Sequence, residues 1–554
     1  MFYKHSFILL LVLVLGLTLG IATVAAATES PQSPQGGTNI PADGLLIGSP
    51  YEDIRNFQDA GSFNLLPSYS ISGIYIPEHT LWTQDVFSDG VESRDVFGYA
   101  LVSGDFNGDG YYDVAVGVPG EDYESWDGII TIRDVGAVNV IYNTAHGLDP
   151  ASHQFWMQDD TGVGINEEDD EFGLVLAAGD FNQDNYDDLA IGAPLEDIEL
   201  IGGTVITDSG AVFILYGSPL GLTSSGAQLL TQNNVGLTNG IYEFFGSSLV
   251  VGAFDTDAHD DLAVGVPYES NATGNQAAGA VAVFYGWDDG FSDDHTQAWT
   301  QDSTGQGISE AFDHFGKTLA AGDFDGNGCD DLAIGVPDED IEGADNAGAV
   351  NILYCNVVHP SQGLATTNAQ IWWQERIAPN GTPHTPSEDY DAFGGGLGAG
   401  DFDGDGYDDL LIGTPGEDPD PYARSEAPSE TETGAVTILL GDDSALSADD
   451  SVFWESGGQD YQLGNVLAVG DYNRDGYADF AAGYPYYTLN AAFGVGAIQV
   501  VYSTGNVTSL LHPGPIITPE DIPDIAPEAD DYFGYSLATL PVSEDHIFLP
   551  AIFK

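Results

Sequence analysis

One stretch of text recurs along this chain and limits what it can fold into. Gly104-Asp105-Phe106-Asn107-Gly108-Asp109-Gly110-Tyr111-Tyr112-Asp113-Val114-Ala115-Val116-Gly117-Val118-Pro119 returns, little changed, from Gly179, Gly252, Gly322, Gly400 and Gly470. The spacing is about 70 to 78 residues. Self-similarity at a fixed period marks a repeat architecture, in which each unit buries its apolar face against its neighbours. Gly-rich turns between short apolar runs make those units β rather than helical.

Three landmarks occur seven times each, in fixed order. The first is an aromatic or Leu before Gly: Phe97, Phe172, Phe245, Phe315, Phe393, Leu463 and Phe533. The second is an apolar run ending in Gly-x-Pro, with its glycines at Gly48, Gly117, Gly192, Gly265, Gly335, Gly413 and Gly483. The third is a Gly that opens an apolar strand, at Gly61, Gly136, Gly210, Gly279, Gly348, Gly434 and Gly496. A fourth segment often carries Trp and Gln, as in Trp82-Thr83-Gln84-Asp85.

The phase is shifted at the ends. The chain enters at the second landmark and leaves after the first, so one unit is divided between the termini. A ring explains this and hides the sheet edges; an open solenoid needs no divided unit. The expected fold is all-β: a seven-bladed β-propeller of four-stranded blades over residues 43–554. Its last blade is shared between about 43–86 and 532–554.

Five repeats carry Asp-x-Asx-x-Asx-Gly/Asn-x-x-Asp, a pattern suited to a hard cation. Such a cation takes six to eight oxygens at about 2.3–2.6 Å. Oxygens at positions one, three, five and nine converge, and the seventh residue adds its carbonyl. The candidate ligands are Asp105, Asn107, Asp109, Tyr111 and Asp113 in the first repeat, and Asp180, Asn182, Asp184, Tyr186 and Asp188 in the second. The fourth offers Asp323, Asp325, Asn327, Cys329 and Asp331; the fifth, Asp401, Asp403, Asp405, Tyr407 and Asp409; the sixth, Asp471, Asn473, Asp475, Tyr477 and Asp479. Calcium is the expected ion, at about five sites. The third repeat has Ala253 at position one, so its Asp255, Asp257 and Asp261 are expected to form a weak or empty loop. No Glu stands at position twelve and a strand-like run follows at once, so each loop joins two strands rather than two helices.

Nine basic residues face 88 acidic ones, a formal charge of −79. Such a surface repels nucleic acid and anionic lipid. Lys4, an apolar run from Phe7 to Val24 and Ala25-Ala26-Ala27 read as a signal peptide over 1–27, followed by a linker over 28–42. The mature chain is expected outside the cell or on its surface, monomeric and without a transmembrane segment. The two cysteines, Cys329 and Cys355, lie in one repeat and are either bonded or two buried thiols.

Both landmarks and the acidic loop, recurring in register over residues 43–540, resemble the FG-GAP repeat of integrin α subunits. That resemblance implies a seven-bladed propeller with calcium in hairpin loops on one face and partner proteins on the other. The leg domains and membrane helix of an integrin are missing, which puts receptor signalling in doubt. The expected function is an extracellular adhesion module for a protein or glycan, not an enzyme. A glycan-active hydrolase or lyase on the same scaffold, or a purely structural surface protein, is the alternative. A catalytic site is expected to break the repeat with an unshared constellation, and no nucleophile elbow or His-Glu-x-x-His is present.

Two further patterns have two readings each. Glu-Asp follows the Pro in five repeats (Glu52-Asp53, Glu121-Asp122, Glu196-Asp197, Glu339-Asp340 and Glu417-Asp418) and is either a ligand-facing acidic rim or plain solvated loop. Trp82, Trp156, Trp299, Trp372, Trp373 and Trp454 suit a carbohydrate surface, but their repeat register favours packing between blades.

Overall fold

Each copy of the recurring text folds into the same antiparallel strands, paired in chain order. The computed structural model describes residues 41–542 except 70–72, 88–89, 126–129, 201, 272–273, 358–362, 378–384, 418–432, 456–461, 491, 507–508 and 524–526. The signal-peptide and most of the linker readings, Asp418 and the tail from residue 543 lie outside the described residues. In the second blade the strands are Val175–Gly179, Asp188–Ala193, Ala211–Tyr216 and Thr223–Leu230. Five other blades repeat this order, and among the described residues helix is confined to short turns such as Gln158–Thr161 after a fourth strand.

The apolar text dictates which strands lie inside. The second strand, Asp188–Ala193, is buried at every residue, as an apolar run without alternation requires. The fourth, Thr223–Leu230, is largely exposed or half-buried and forms the outer edge. The cores lie between blades. One cluster joins Val102, Ala115 and Val140 of the first blade to Phe172, Leu176, Ile191 and Phe213 of the second. Burying each large apolar side chain contributes about 1.5–3 kcal/mol.

The seventh blade closes the ring. Ser536–Leu540, from the C-terminal end, pairs antiparallel with Pro41–Ser49, from the N-terminal end, with Gly48 opposite Ser536 and Gly44 opposite Leu540. Pro41–Ser49 then pairs with Ser62–Tyr69, which carries Thr80–Trp82 and Gly73–Ile74 on its far side. Ser536–Leu540 also lies against both Leu101–Gly104 of the first blade and Val466–Gly470 of the sixth.

The glycine landmarks are the joints between blades. A Cβ on Gly117 would stand 2.0 Å from the carbonyl oxygen of Gly173 in the next blade, so only Gly fits. Gly136, at φ +78°, bridges Phe172 of the next blade, and a Cβ there would meet the Phe172 backbone at 2.3 Å. The Phe172 ring is fully buried beneath this joint.

In three of the five Glu-Asp pairs the Glu fits neither reading offered for it, while Asp53 and Asp340 are exposed. Glu121, Glu196 and Glu417 are buried, not exposed on a rim. Each accepts the side-chain amide of a Gln from the preceding blade: Gln84 to Glu121 at 2.8 Å, Gln158 to Glu196 at 2.7 Å, Gln374 to Glu417 at 2.6 Å; Gln301 does the same to Glu339 at 2.8 Å. The Asp beside three of them closes its own link loop: Asp122 accepts the Asp134 N–H at 2.9 Å, Asp197 the Asp208 N–H at 2.8 Å and Asp340 the Asn346 N–H at 2.9 Å. Blade-to-blade docking removes these carboxylates from water, a long-range fact that the local sequence does not carry. Trp82 and Trp372 are buried, while Trp156, Trp299, Trp373 and Trp454 pack half-buried against the cores. Cys329 and Cys355 form a disulfide, with Cα atoms 6.1 Å apart.

Candidate metal centres

The acidic loops join the first and second strands of each blade, so all lie on one face of the ring. Their fold is set by side chains turned back on their own backbone. In the first loop Asp105 accepts the N–H groups of Asp109 (3.0 Å) and Gly110 (2.9 Å), and Asp109 accepts that of Tyr111 (3.0 Å). The same three bonds recur in the second loop from Asp180 and Asp184, in the fourth from Asp323 and Asn327, in the fifth from Asp401 and Asp405, and in the sixth from Asp471 and Asp475. Asn107, Asn182, Asp325 and Asp403, at position three, accept the position-five N–H in their loops at 3.0–3.1 Å. The turn at position six needs positive φ, met by Gly110 (+86°) and by Asn185 (+67°).

Position nine lies at the base of each loop. Asp113, Asp188, Asp331, Asp409 and Asp479 are fully buried at the start of the second strand. Each accepts one N–H from the end of its blade's third strand: Asn143 (2.7 Å), Gly217 (2.8 Å), Cys355 (2.8 Å), Gly441 (2.9 Å) and Ser503 (2.8 Å). Burial, reinforced by the other loop carboxylates, pushes Asp113 and Asp188 up to about 8 and Asp479 up to about 9; Asp331 and Asp409 are raised well above the usual range. These loops gather charge that folding alone does not balance.

A cation fits them. Two oxygens on one ion at about 2.4 Å are at most about 4.8 Å apart. One oxygen each from Asp323, Asp325 and Asp331 lie within 4.8 Å of one another, as do those of Asp401, Asp403 and Asp405. In the sixth loop Asn473 Oδ1 and Asp479 Oδ2 are buried without a hydrogen-bond partner, two acceptors left for a cation. In the first loop the Asn107 amide instead faces Asp113 at 3.2 Å, so those side chains must turn to share an ion. Tyr111, Tyr186, Cys329, Tyr407 and Tyr477 sit at position seven of the same loops.

The third loop differs as its sequence requires. Ala253 offers no side-chain oxygen at position one. Asp257 accepts the N–H of His259 at 2.9 Å and also lies 3.1 Å from its Nδ1.

The loops are chained to one another, which sequence reading missed. The residue at position eight reaches back one blade. Asp187 accepts the Asp105 N–H at 2.6 Å, Asp260 that of Asp180 at 2.8 Å, Asp330 that of Ala253 at 2.9 Å and Asp408 that of Asp323 at 3.0 Å. Asp43 does this for Asp471 at 3.1 Å and also takes the Val542 N–H at 3.2 Å, so it fastens the closing blade. The first Asp of the recurring Asp-Asp pair was the available signal, and its recurrence had no use within a single loop. Tyr186, Tyr407 and Tyr477 add to the chain by lying over Gly108, Gly326 and Gly404 of the preceding loops.

A family model described as "FG-GAP repeat" matches residues 97–137, 172–215, 245–284, 315–353, 393–439 and 463–507. Human phosphatidylinositol-glycan-specific phospholipase D is 33% identical over 188 residues, 34% of this chain and 20% of that one. Integrin alpha-5 of Xenopus laevis is 31% identical over 243 residues, 43% of this chain and 20% of that one. The chain thus spans about a fifth of the length of these relatives. Among solved structures, the rhamnogalacturonan lyase YesW is 12% identical with a TM-score of 0.35, covering 96% of this chain and 99% of that one, a superposition too loose to bear on fold or activity.

Proposed function

From a chain that is an FG-GAP repeat protein with an integrin-α-like propeller, we propose a calcium-binding interaction module that acts outside the cell and is not an enzyme. The observation that carries this reading is the convergence of Asp323, Asp325 and Asp331, and of Asp401, Asp403 and Asp405, on spacings that one hard cation spans. All five complete loops share one hydrogen-bonding pattern and all-oxygen ligands, which suit calcium better than softer metals. The loop residues bind and orient the ion; the ion in turn neutralises the carboxylates and stiffens the face to which all five loops belong.

The opposite face is the proposed docking surface. Strand alternation sends the links between second and third strands, and between blades, to that side. Their side chains include exposed Ile165, Ile241, Tyr242, Ile308, Phe312 and Phe493. Apolar side chains held out on scaffolded loops favour a protein partner. Export is consistent with the Cys329–Cys355 disulfide and with the acidic surface. Among the described residues no helix is long and apolar enough to cross a membrane. The non-catalytic reading is supported by the use made of the buried carboxylates, which serve mainly the metal loops and the Gln–Glu joints between blades.

Equilibrium dialysis against calcium, read by elemental analysis, tests the first half: about five ions per chain are expected, and none would end the proposal. A pull-down with the calcium-loaded chain, repeated in chelator and beside an assay for released sugars, tests the second. Capture of a protein without turnover is expected; sugar release would return the chain to the enzymes.

A further inference from the structure

The third blade breaks the repeat at three places, and the last two of them meet in space. Ala253 has replaced the first loop Asp. His259 stands where other loops carry Tyr or Cys329. Trp287 stands where the other blades carry Thr144, Ser218, Asn356, Asp442 or Thr504. Trp287 borders an open cavity of about 590 Å³, which Asp255 and Asp257 of the altered loop line together with Asp294 and His295. Trp287 is 48% exposed, with its ring 6.2 Å from His259 in a nearly parallel stack and 4.9 Å from His295. A site that departs from its own repeat is where a separate function is to be sought.

We infer that this cavity binds an organic cation, a substituted ammonium or a guanidinium group. Three observations converge. The lining holds three carboxylates and no lysine or arginine. It presents Trp, the aromatic ring that attracts cations most strongly. Its volume is that of a small-molecule pocket rather than a single ion. With Ala253 in place of the first Asp this loop lacks a complete cage, and its Asp257 is shared with His259 instead, which leaves Asp255 and Asp294 as the lining carboxylates outside that pair. The Tyr285 hydroxyl is already spent, donating to Gln297 at 2.6 Å and accepting the Leu364 N–H at 3.0 Å, which favours a ligand that asks for acceptors over a sugar that asks for both. The cation is either a free amine or a basic side chain of a partner protein. This site stands apart from the five calcium loops and from the proposed docking face, and its failure would leave both untouched.

Calorimetric titration of the full chain in saturating calcium tests it. The probes are choline, its uncharged isostere 3,3-dimethylbutan-1-ol, and the N-acetyl methylamides of lysine and arginine. At least one cation is expected to bind and the alcohol not. Trp287→Ala is expected to weaken binding about tenfold and Trp287→Phe less. Asp294→Asn, on an exposed link, is expected to weaken it severalfold. Ser218→Ala, at the matching position of the second blade, should leave it unchanged. Melting temperatures of the variants separate lost binding from lost folding. Tighter binding of the amino-acid amides than of choline would identify a basic side chain as the source, and the reverse a free amine. Equal binding of the alcohol, full binding by a folded Trp287→Ala, or no binding of any cation would overturn the inference.

Discussion

The carboxylate of Asp187 accepts the backbone N–H of Asp105, 2.6 Å away and one blade back, while its own N–H is donated to the Asp105 carbonyl at 3.1 Å. Two loops that each shape a cation site are therefore clamped together at the first ligand of one and the eighth position of the other. Asp187→Ala removes this clamp without removing a ligand. It is expected to cost about 1–3 kcal/mol in chemical denaturation, the range for losing a charge-assisted bond and leaving a buried N–H unmet. It should also weaken calcium at the Asp105 loop. Unchanged calcium affinity would show the clamp to be scaffold alone.

Removing calcium should destabilise the whole ring. An ion at a hundredfold excess over its Kd contributes about 2.7 kcal/mol per site. Chelation is expected to lower Tm by several degrees. Asp401→Ala should lower it by a fraction of that in calcium and add little in chelator. A melt that ignores chelator counts against the metal reading.

Stability without metal should depend on pH through the joints between blades. Burial, with repulsion from Asp170, pushes Glu196 up to about 9, and burial with repulsion from Asp391 does the same for Glu417. Burial pushes Glu339 up to about 7. An acid whose folded pKa is raised binds its proton more tightly in the folded chain, so its contribution is full below about 4.5 and is lost as pH rises through 7 to 9. In chelator the urea midpoint is expected to fall between pH 5 and 9. Glu196→Gln should flatten that slope; a midpoint that rises over this interval would contradict the assignment.

Reducing the Cys329–Cys355 bond releases a 26-residue separation. Loop entropy puts the loss at about 3 kcal/mol. The same step should weaken calcium at the fourth loop, because Cys329 is its seventh residue and the Cys355 N–H holds Asp331. Calorimetry with and without reductant, beside a Cys329→Ser/Cys355→Ser chain, checks both effects.

The blades, their number and the shared closing blade could all be read from the order of residues, because each rests on a short-range pattern. An apolar run such as Leu189-Ala190-Ile191 must be buried, and Asp180-x-Asn182-x-Asp184 must turn, whatever surrounds them. The seven phases of Phe-Gly and Gly-x-Pro imply a ring for the same local reason. The uses of Glu196, Asp187 and Trp287 were not available there. Glu196 reads as loop until Gln158 of the preceding blade covers it, Asp187 as a spare acid until Asp105 lies beside it, and Trp287 carries no reading until His259 and His295 stand around it. The contacts with Gln158, Asp105 and His259 join residues 28 to 82 positions apart across a blade or a blade interface, and only the closing of strands into a ring sets such distances.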